Sequence, residues 1–330
     1  MAAKPRAAVP SAPPNSAHGA EPASVFATAA ACMDTVVSLM VVGGSGDPEL
    51  QACVDRALGW FTHVERICSR FDPDSEVMEL CGTVGIPIEV SDLLFGALSL
   101  AQEIARLSQG AFDPTVGLTL ERAGFNRNYR TGEPIHTMID SDRRPTYHDV
   151  YLDETRQTVT LRRPMVLDLG AVAKGLAIDL AARELAGYAG FAVEAGGDLF
   201  VGGRNDQGAP WRIGIKHPLQ PTTLIDTLDI RDLAVCTSAT YERRVDAGPI
   251  THHLLDPRSG GSALGVASVT VIAPTAMLAD ALSTAAFVLG PEKGIALLDE
   301  AGVDGLIITP TLQRKATQHY ARHQAIPATR

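Results

Sequence analysis

Apolar residues along this chain recur in two periods, and the switches between them mark out its elements. Over 48–71, Leu50, Val54, Leu58, Phe61, Val64 and Ile67 return at steps of three and four, the period of an amphipathic helix. Ser91-Asp92 ahead of Leu93–Leu107 supplies a helix start, and Gly110 a stop. Met33–Val42 alternates and is rich in β-branched residues, so it predicts a strand that ends at the turn cluster Gly43–Asp47. Further strands are expected near 149–153, 157–161 and Met165–Leu169, then at Phe191–Glu194, Leu199–Val201, Trp211–Lys216, Leu224–Ile230, Ala234–Thr237, His252–Leu255, Ala267–Ile272 and Gly305–Ile308. Helices are expected at Ala171–Tyr188, Thr275–Leu289 and Glu292–Ala301. Arg122–Thr146 is polar, with Gly, Pro and Asn, and reads as a long surface loop of the kind that often serves function. Adjacent strand pairs without a regular βαβ repeat predict an α+β fold rather than a doubly wound sheet.

The two ends break the pattern. Residues 1–30 are rich in Ala, Pro and Ser and are expected to lack structure, because they offer too little apolar surface to offset ordering. Pro10, Pro13, Pro14 and Pro22 interrupt them, so no apolar signal core follows Lys4 and Arg6. Ala29-Ala30-Ala31-Cys32 resembles a lipoprotein cleavage site only faintly, and the expectation is a cytoplasmic protein. Residues 313–330 read as a flexible tail, which leaves 31–312 as the folded domain.

Composition narrows the function classes. Of 330 residues, 45% are hydrophobic and 20% charged, as in an ordinary globular enzyme. Lys and Arg total 28 against 38 Asp and Glu, and a net charge of −10 argues against a broad grip on nucleic acid. No apolar run is long enough to span a membrane. The five cysteines form no C-x-x-C pair and read as reduced core thiols.

Four strings carry candidate chemistry, and each alone admits a plainer reading. Gly110–Gly117 contains Asp113-Pro114, an extended Asp between glycines that permit close backbone approach; it could equally be a turn after the helix. Asp168-Leu169-Gly170-Ala171-Val172-Ala173-Lys174-Gly175 ends a strand in a carboxylate and opens a helix with a Lys near its amides, a combination that suits phosphate oxygens. A capping Asp and an exposed Lys are the alternative. Glu194-Ala195-Gly196-Gly197-Asp198 reads alone as a hairpin turn. Asp280 and Thr284 share one helix face four residues apart, an oxygen pair suited to a hard cation such as Mg²⁺; a back-bonded Thr and a solvated Asp would give the same letters.

Taken in order, the D-L-G-x-x-A-K-G, G-G-D, H-x-x-D-P-x-x-G (His253–Gly260) and A-D-A-x-x-T strings resemble the ApbE family of FAD:protein FMN transferases, over about residues 31–310. Met33-Asp34-Thr35, Phe71 with Asp74-Ser75-Glu76, Gly110–Gly117 and Thr237-Ser238 fit the same order. The resemblance implies an α+β fold with its active site in a cleft between sub-domains. It implies FAD as substrate, Mg²⁺ as cofactor, and a partner flavoprotein whose Thr or Ser hydroxyl receives FMN while AMP is released. Asp280, Thr284 and the carbonyl of Ala171 would hold the metal. Asp168 would bind FAD, with Lys174 near its phosphates. Met33, Phe71, Ala111, Phe112 and Asp113 would line the flavin and adenosine, and His253 and Leu254 would close the pocket. Lys174, His253 and Asp168 are the expected catalytic set, with His253, Asp113 or a metal-bound hydroxide as the base that takes the acceptor's proton.

Three departures from the family pattern bear on substrate choice. Asp34 stands where a Gly is usual, Glu194 replaces an Asn, and Ser238-Ala239-Thr240-Tyr241 replaces Ser-Gly-Asp-Tyr. A Mg²⁺-dependent FAD pyrophosphatase and a non-catalytic FAD-binding protein are the competing readings. A nicotinamide enzyme is disfavoured by the missing G-x-G-x-x-G fingerprint.

Overall fold

The computed structural model describes residues 23–43, 46–240 and 252–325. In chain order the elements are β1 (Val25–Cys32), β2 (Thr35–Val42), α1 (Pro48–Cys68), α2 (Glu76–Cys81), β3 (Ile88–Glu89), α3 (Asp92–Leu107), α4 (Gly117–Arg122), β4 (Val150–Asp153), β5 (Thr158–Leu161), α5 (Gly170–Glu184), β6 (Gly190–Ala195) and β7 (Asp198–Gly203). There follow β8 (Trp211–His217), β9 (Gln220–Ile230), β10 (Leu233–Ala239), β11 (Ser268–Ala273), α6 (Ala276–Leu289), α7 (Pro291–Glu300), β12 (Asp304–Ile308) and β13 (Arg314–Ala316). An eight-stranded sheet runs β1-β2-β6-β7-β10-β11-β12-β13, every pair antiparallel. This is the α+β architecture that the mixed pattern predicts.

Each face of that sheet buries a different core. Val37, Leu39 and Val41 of β2, Val193 of β6 and Val269 and Val271 of β11 point to the helices, where they join Phe61 of α1, Ile178 of α5 and Phe287 of α6. Strand alternation sends Val201, Val235, Ile272 and Leu306 the other way, under Trp211, Ile215, Leu228 and Ile230 of the β8–β9 hairpin. A small sheet of order β3-β5-β4 adds Val150, Val159 and Leu161 to the helix-side core.

The ends differ from the sequence reading. Val25–Ala30, expected to lack structure, belongs to the edge strand β1, in register with β2 from Val25↔Val42 to Cys32↔Thr35. Small residues suffice there because the strand is fixed by ladder hydrogen bonds rather than by burial of large side chains. Beyond 312, β13 and the turn Tyr320–His323 replace the expected tail; Tyr320 is buried, and His323 and Arg322 pair with Asp304. Residues 1–22 and 326–330 lie outside the described residues.

Two expected strands are also revised. Met165–Leu169 joins no ladder, although the Asp168 amide donates to the Pro114 carbonyl (2.7 Å) and the Gly117 amide to the Val166 carbonyl (3.1 Å). A Cβ on Gly117 would lie 2.5 Å from that Val166 oxygen, so the close approach foreseen at this glycine is to the chain itself. His252–Leu255 is a short loop closed by an isolated Leu255↔Ser262 bridge. Met33, expected to begin a strand, instead shares a two-residue turn with Asp34, at φ 52° and 62°. Both angles are positive, as a hairpin of this length demands. Asp tolerates that region better than most residues, which explains how it replaces the usual Gly.

Candidate functional site

Helices α5 and α6 create the most polar part of the interior. Gly175 of α5 touches the backbone of α6, for a Cβ there would lie 2.5 Å from the carbonyl of Ala276 and the Cα of Met277. One turn on, the Asp179 carboxylate accepts hydrogen bonds from the amides of Ala276 (2.7 Å) and Met277 (3.0 Å) and so caps α6 from its neighbour. Burial pushes the Asp179 carboxyl up to about 6, against the opposing pull of those two amides. Thr275 completes the cap through its own side chain, which accepts from the Leu278 amide at 3.3 Å.

This close contact sets Lys174 beside Asp280. The Lys174 ammonium lies 3.4 Å from an Asp280 oxygen and makes a second, closer ion pair with Asp198, the first residue of β7. Asp198 is held in turn by the Thr237 amide, which donates to it at 2.7 Å. Asp198 and Asp280 are 3% and 6% exposed. Two buried carboxylates therefore share one ammonium, leaving an excess negative charge that would otherwise be costly in such a place. Thr284 lies one turn along α6, its hydroxyl 3.2 Å from that of Ser238, which also meets Ser283 at 2.7 Å. The donors are all oxygens and the surplus charge is negative, a fit to a hard divalent cation. Among the described residues no group of three or more His, Cys, Asp and Glu side chains forms a metal cluster. Ala171 opens α5 one turn before Lys174.

A second group surrounds the start of α5. Asp168 accepts from the Gly170 amide (2.9 Å) through one oxygen and from Arg70 through the other. Arg70 also covers the ring of Phe71, its Cζ 4.0 Å from the centroid. Beside Phe71, a cavity of about 260 Å³ is lined by Arg66, Asp72, Asn128, Tyr129 and Arg130. His253 meets the ring of Phe125 edge-on at 6.4 Å, whereas His252 is buried, with its ring against Phe287 and Nε2 3.1 Å from the Ala263 carbonyl. Of the two adjacent histidines, His252 is buried and His253 half-buried.

The remaining predicted residues are spread around these groups. Ala111 and Phe112 place their side chains in the core, and Asp113 is the member of the trio that lines a cavity, one of about 330 Å³ shared with Gln109, Thr115, Arg144, Tyr147 and His148. Its carboxylate accepts from the Thr115 amide and hydroxyl and from the Tyr147 amide, and burial nonetheless raises its pKa. Leu254 is buried in the helix-side core, and Met33 packs against the same core from the β1–β2 turn. That turn adjoins Gly196-Gly197, where the Gly196 amide donates to the Val36 carbonyl (3.4 Å). Glu194 secures the junction by accepting from Ser38 (2.8 Å) and the Gly197 amide (2.7 Å), so a carboxylate serves where an Asn is usual. Tyr241 lies outside the described residues.

Sequence reasoning assigned no role to Asp198, Ser238, Asp179 or Arg70. The first two lie inside quoted motifs and could have been noticed there. Asp179 and Arg70 carry no local signal, because Asp179 caps a helix 97 residues away and the carboxylate that pairs with Arg70 lies 98 residues away.

Comparison with known proteins identifies the family. The profile of the ApbE family matches residues 33–307. The FAD:protein FMN transferase of Treponema pallidum is 33% identical over 294 residues, covering 82% of this chain and 80% of that protein. Its namesake in Escherichia coli is 30% identical over 256 residues, covering 74% and 73%. Among solved structures, the ApbE protein of Thermotoga maritima superposes with a TM-score of 0.81 at 30% identity, covering 92% of this chain and all of that one. The flavin transferase ApbE of Vibrio cholerae shares the fold, with a TM-score of 0.80 at 24% identity over 92% of this chain and all of that one. No helix among the described residues is long and apolar enough to cross a membrane. With the family profile matching residues 33–307 and a relative 33% identical over 82% of its length, the chain belongs to the ApbE family.

Proposed function

We propose that this protein is an FAD:protein FMN transferase that moves the FMN half of FAD onto a Ser or Thr hydroxyl of a partner flavoprotein and releases AMP. The observation that carries the proposal is the buried cluster in which Asp198 and Asp280 share Lys174 beside Thr284, next to the first turn of α5. The names of the relatives support FAD as substrate.

The chemistry asks for such a cluster. The acceptor oxygen forms a bond to the FMN-side phosphorus while the bond from that phosphorus to the AMP-side oxygen breaks. The hydroxyl proton passes to a base, and AMP leaves carrying the bond's electron pair. Negative charge builds on the leaving phosphate, where the Lys174 ammonium is suited to stabilise it. Asp198 keeps that ammonium in place. Asp280 and Thr284, with the Ala171 carbonyl, would hold Mg²⁺, which when bound supplies further neutralisation of the pyrophosphate. Asp168, with one oxygen on Gly170 and the other on Arg70, is the carboxylate proposed to accept from FAD. His253 is the candidate base, since an imidazole can take a proton from a hydroxyl and this ring is less buried than that of His252.

The test is mass spectrometry of a candidate acceptor mixed with the protein, FAD and Mg²⁺, with AMP followed in parallel. A single FMN phosphoryl adduct on a Ser or Thr, with equimolar AMP, is expected. AMP and free FMN without an adduct across several acceptors would make the protein a FAD pyrophosphatase. FAD bound and unchanged would reduce it to a binding protein.

A further inference from the structure

Arg70 belongs to none of the motifs, yet it is 7% exposed and surrounded by residues of the proposed FAD pocket. Its Nε donates to Asp168 Oδ2, and a terminal nitrogen donates to the Phe125 carbonyl at 2.6 Å. Its Cζ lies 4.0 Å from the centre of the Phe71 ring. The Phe125 ring in turn packs edge-on against His253, at 6.4 Å and 68°. One guanidinium thus joins the 69–75 turn, the segment ahead of α5 that carries Asp168, and the beginning of the long 123–146 loop.

Resting on the transferase reading, we infer that Arg70 is a positioning residue of the FAD pocket, acting through Asp168 and Phe71. A bare Asp168 carboxylate would repel a ligand that carries a pyrophosphate; paired with Arg70 it becomes a neutral acceptor. Fixed at a second point by the Phe125 carbonyl, the planar guanidinium orients the Asp168 carboxylate more firmly than a Lys point charge would. Arg70 covers one face of Phe71, so a ligand ring can stack only on the other. The bond to the Phe125 carbonyl also holds the backbone that carries the Phe125 ring beside His253.

A purely structural clamp and a positioning residue predict different kinetics. Arg70→Met and Arg70→Lys are made in the wild type and in an Asp168→Asn background. FAD binding is followed by flavin fluorescence, AMP release by steady-state kinetics with an acceptor, and stability by thermal melts. In Arg70→Met, Kd and KM for FAD are expected to rise at least tenfold while kcat at saturating FAD falls less than threefold. Arg70→Lys lies between it and the wild type. With Asp168→Asn in place, the further effect of Arg70→Met on KM shrinks below threefold, because no carboxylate remains to be oriented. A lowered Tm with KM within twofold of wild type overturns the inference, as does the same tenfold rise in both backgrounds. If Arg70→Met is insoluble, Arg70→Lys is judged by the same double-mutant criterion with a threefold threshold. Wild-type protein that binds FAD but forms neither AMP nor adduct refutes the transferase reading instead, and Arg70 is then judged on Kd alone.

Discussion

Substituting Gly175 by Ala puts the helix contact that creates the site under direct test. The added Cβ would lie 2.5 Å from the carbonyl carbon and oxygen of Ala276 and from the Cα of Met277. Optimal carbon contacts are about 3.5–4.0 Å, so the helices must part by roughly 1 Å or more. All three obstacles are backbone atoms, which cannot rotate away as a side-chain tip could. The same movement would loosen the Asp179 bonds to the Ala276 and Met277 amides and lengthen the 3.4 Å contact between Lys174 and Asp280. Overpacking in a tight core costs about 1–3 kcal/mol, and the rigid obstacle places this case near about 3 kcal/mol. At the few degrees per kcal/mol of large domains, Tm should drop by about 5 °C or more. Gly59 and Gly96 are the controls: both are exposed in helix interiors, and a Cβ on either meets nothing within 4 Å. Ala at these two sites should stabilise by about 0.5–1 kcal/mol each, through helix propensity and a less flexible unfolded chain. Thermal melts of the three variants, with AMP release measured alongside, decide the matter. A Gly175→Ala protein with wild-type Tm and wild-type turnover would refute the claim that α5–α6 contact positions the cluster.

The remaining predictions concern charge. Asp280→Ala should lower AMP release by at least a hundredfold at limiting Mg²⁺ with only a small change in Tm, because Lys174 keeps Asp198 as its partner; full activity under those conditions would sink the metal assignment. Asp179 should give the protein a pH-dependent stability. With its folded carboxyl up at about 6, the native state binds the proton more tightly than the unfolded chain does. Its stabilising contribution is then present at low pH and is lost as pH rises from about 4 to about 6, by up to about 3 kcal/mol for a shift near two units. Asp179→Asn removes this slope, so melting curves of the two proteins across pH 4–7 should diverge; parallel curves would show that the carboxyl is not perturbed.

How much of this was legible in the sequence depended on the range of the interactions. The helices around Phe61, Leu98 and Ile178 announced themselves, because a period near 3.6 needs only a local window and a core to face. The family motifs marked Asp168, Lys174, His253, Asp280 and Thr284 as letters in order. The ends were misread because hydrophobicity was taken as the measure of order. β1 is held by backbone pairing to β2, and the segment after 312 by Asp304 and Asp226, which bind Arg322, His323, Arg314 and Tyr320. The sequence by itself determined the helices with a strong 3.6-residue period, the alternation that gives the large sheet two apolar faces, and the residue types that chemistry on a pyrophosphate requires. Only the tertiary structure decided that Asp198 shares Lys174 with Asp280, that Asp179 caps a helix 97 residues away, and that Arg70 joins Asp168 to Phe71. Each of these is a charge brought to its partner by the packing of separate elements, and no local window of the sequence contains both members of such a pair.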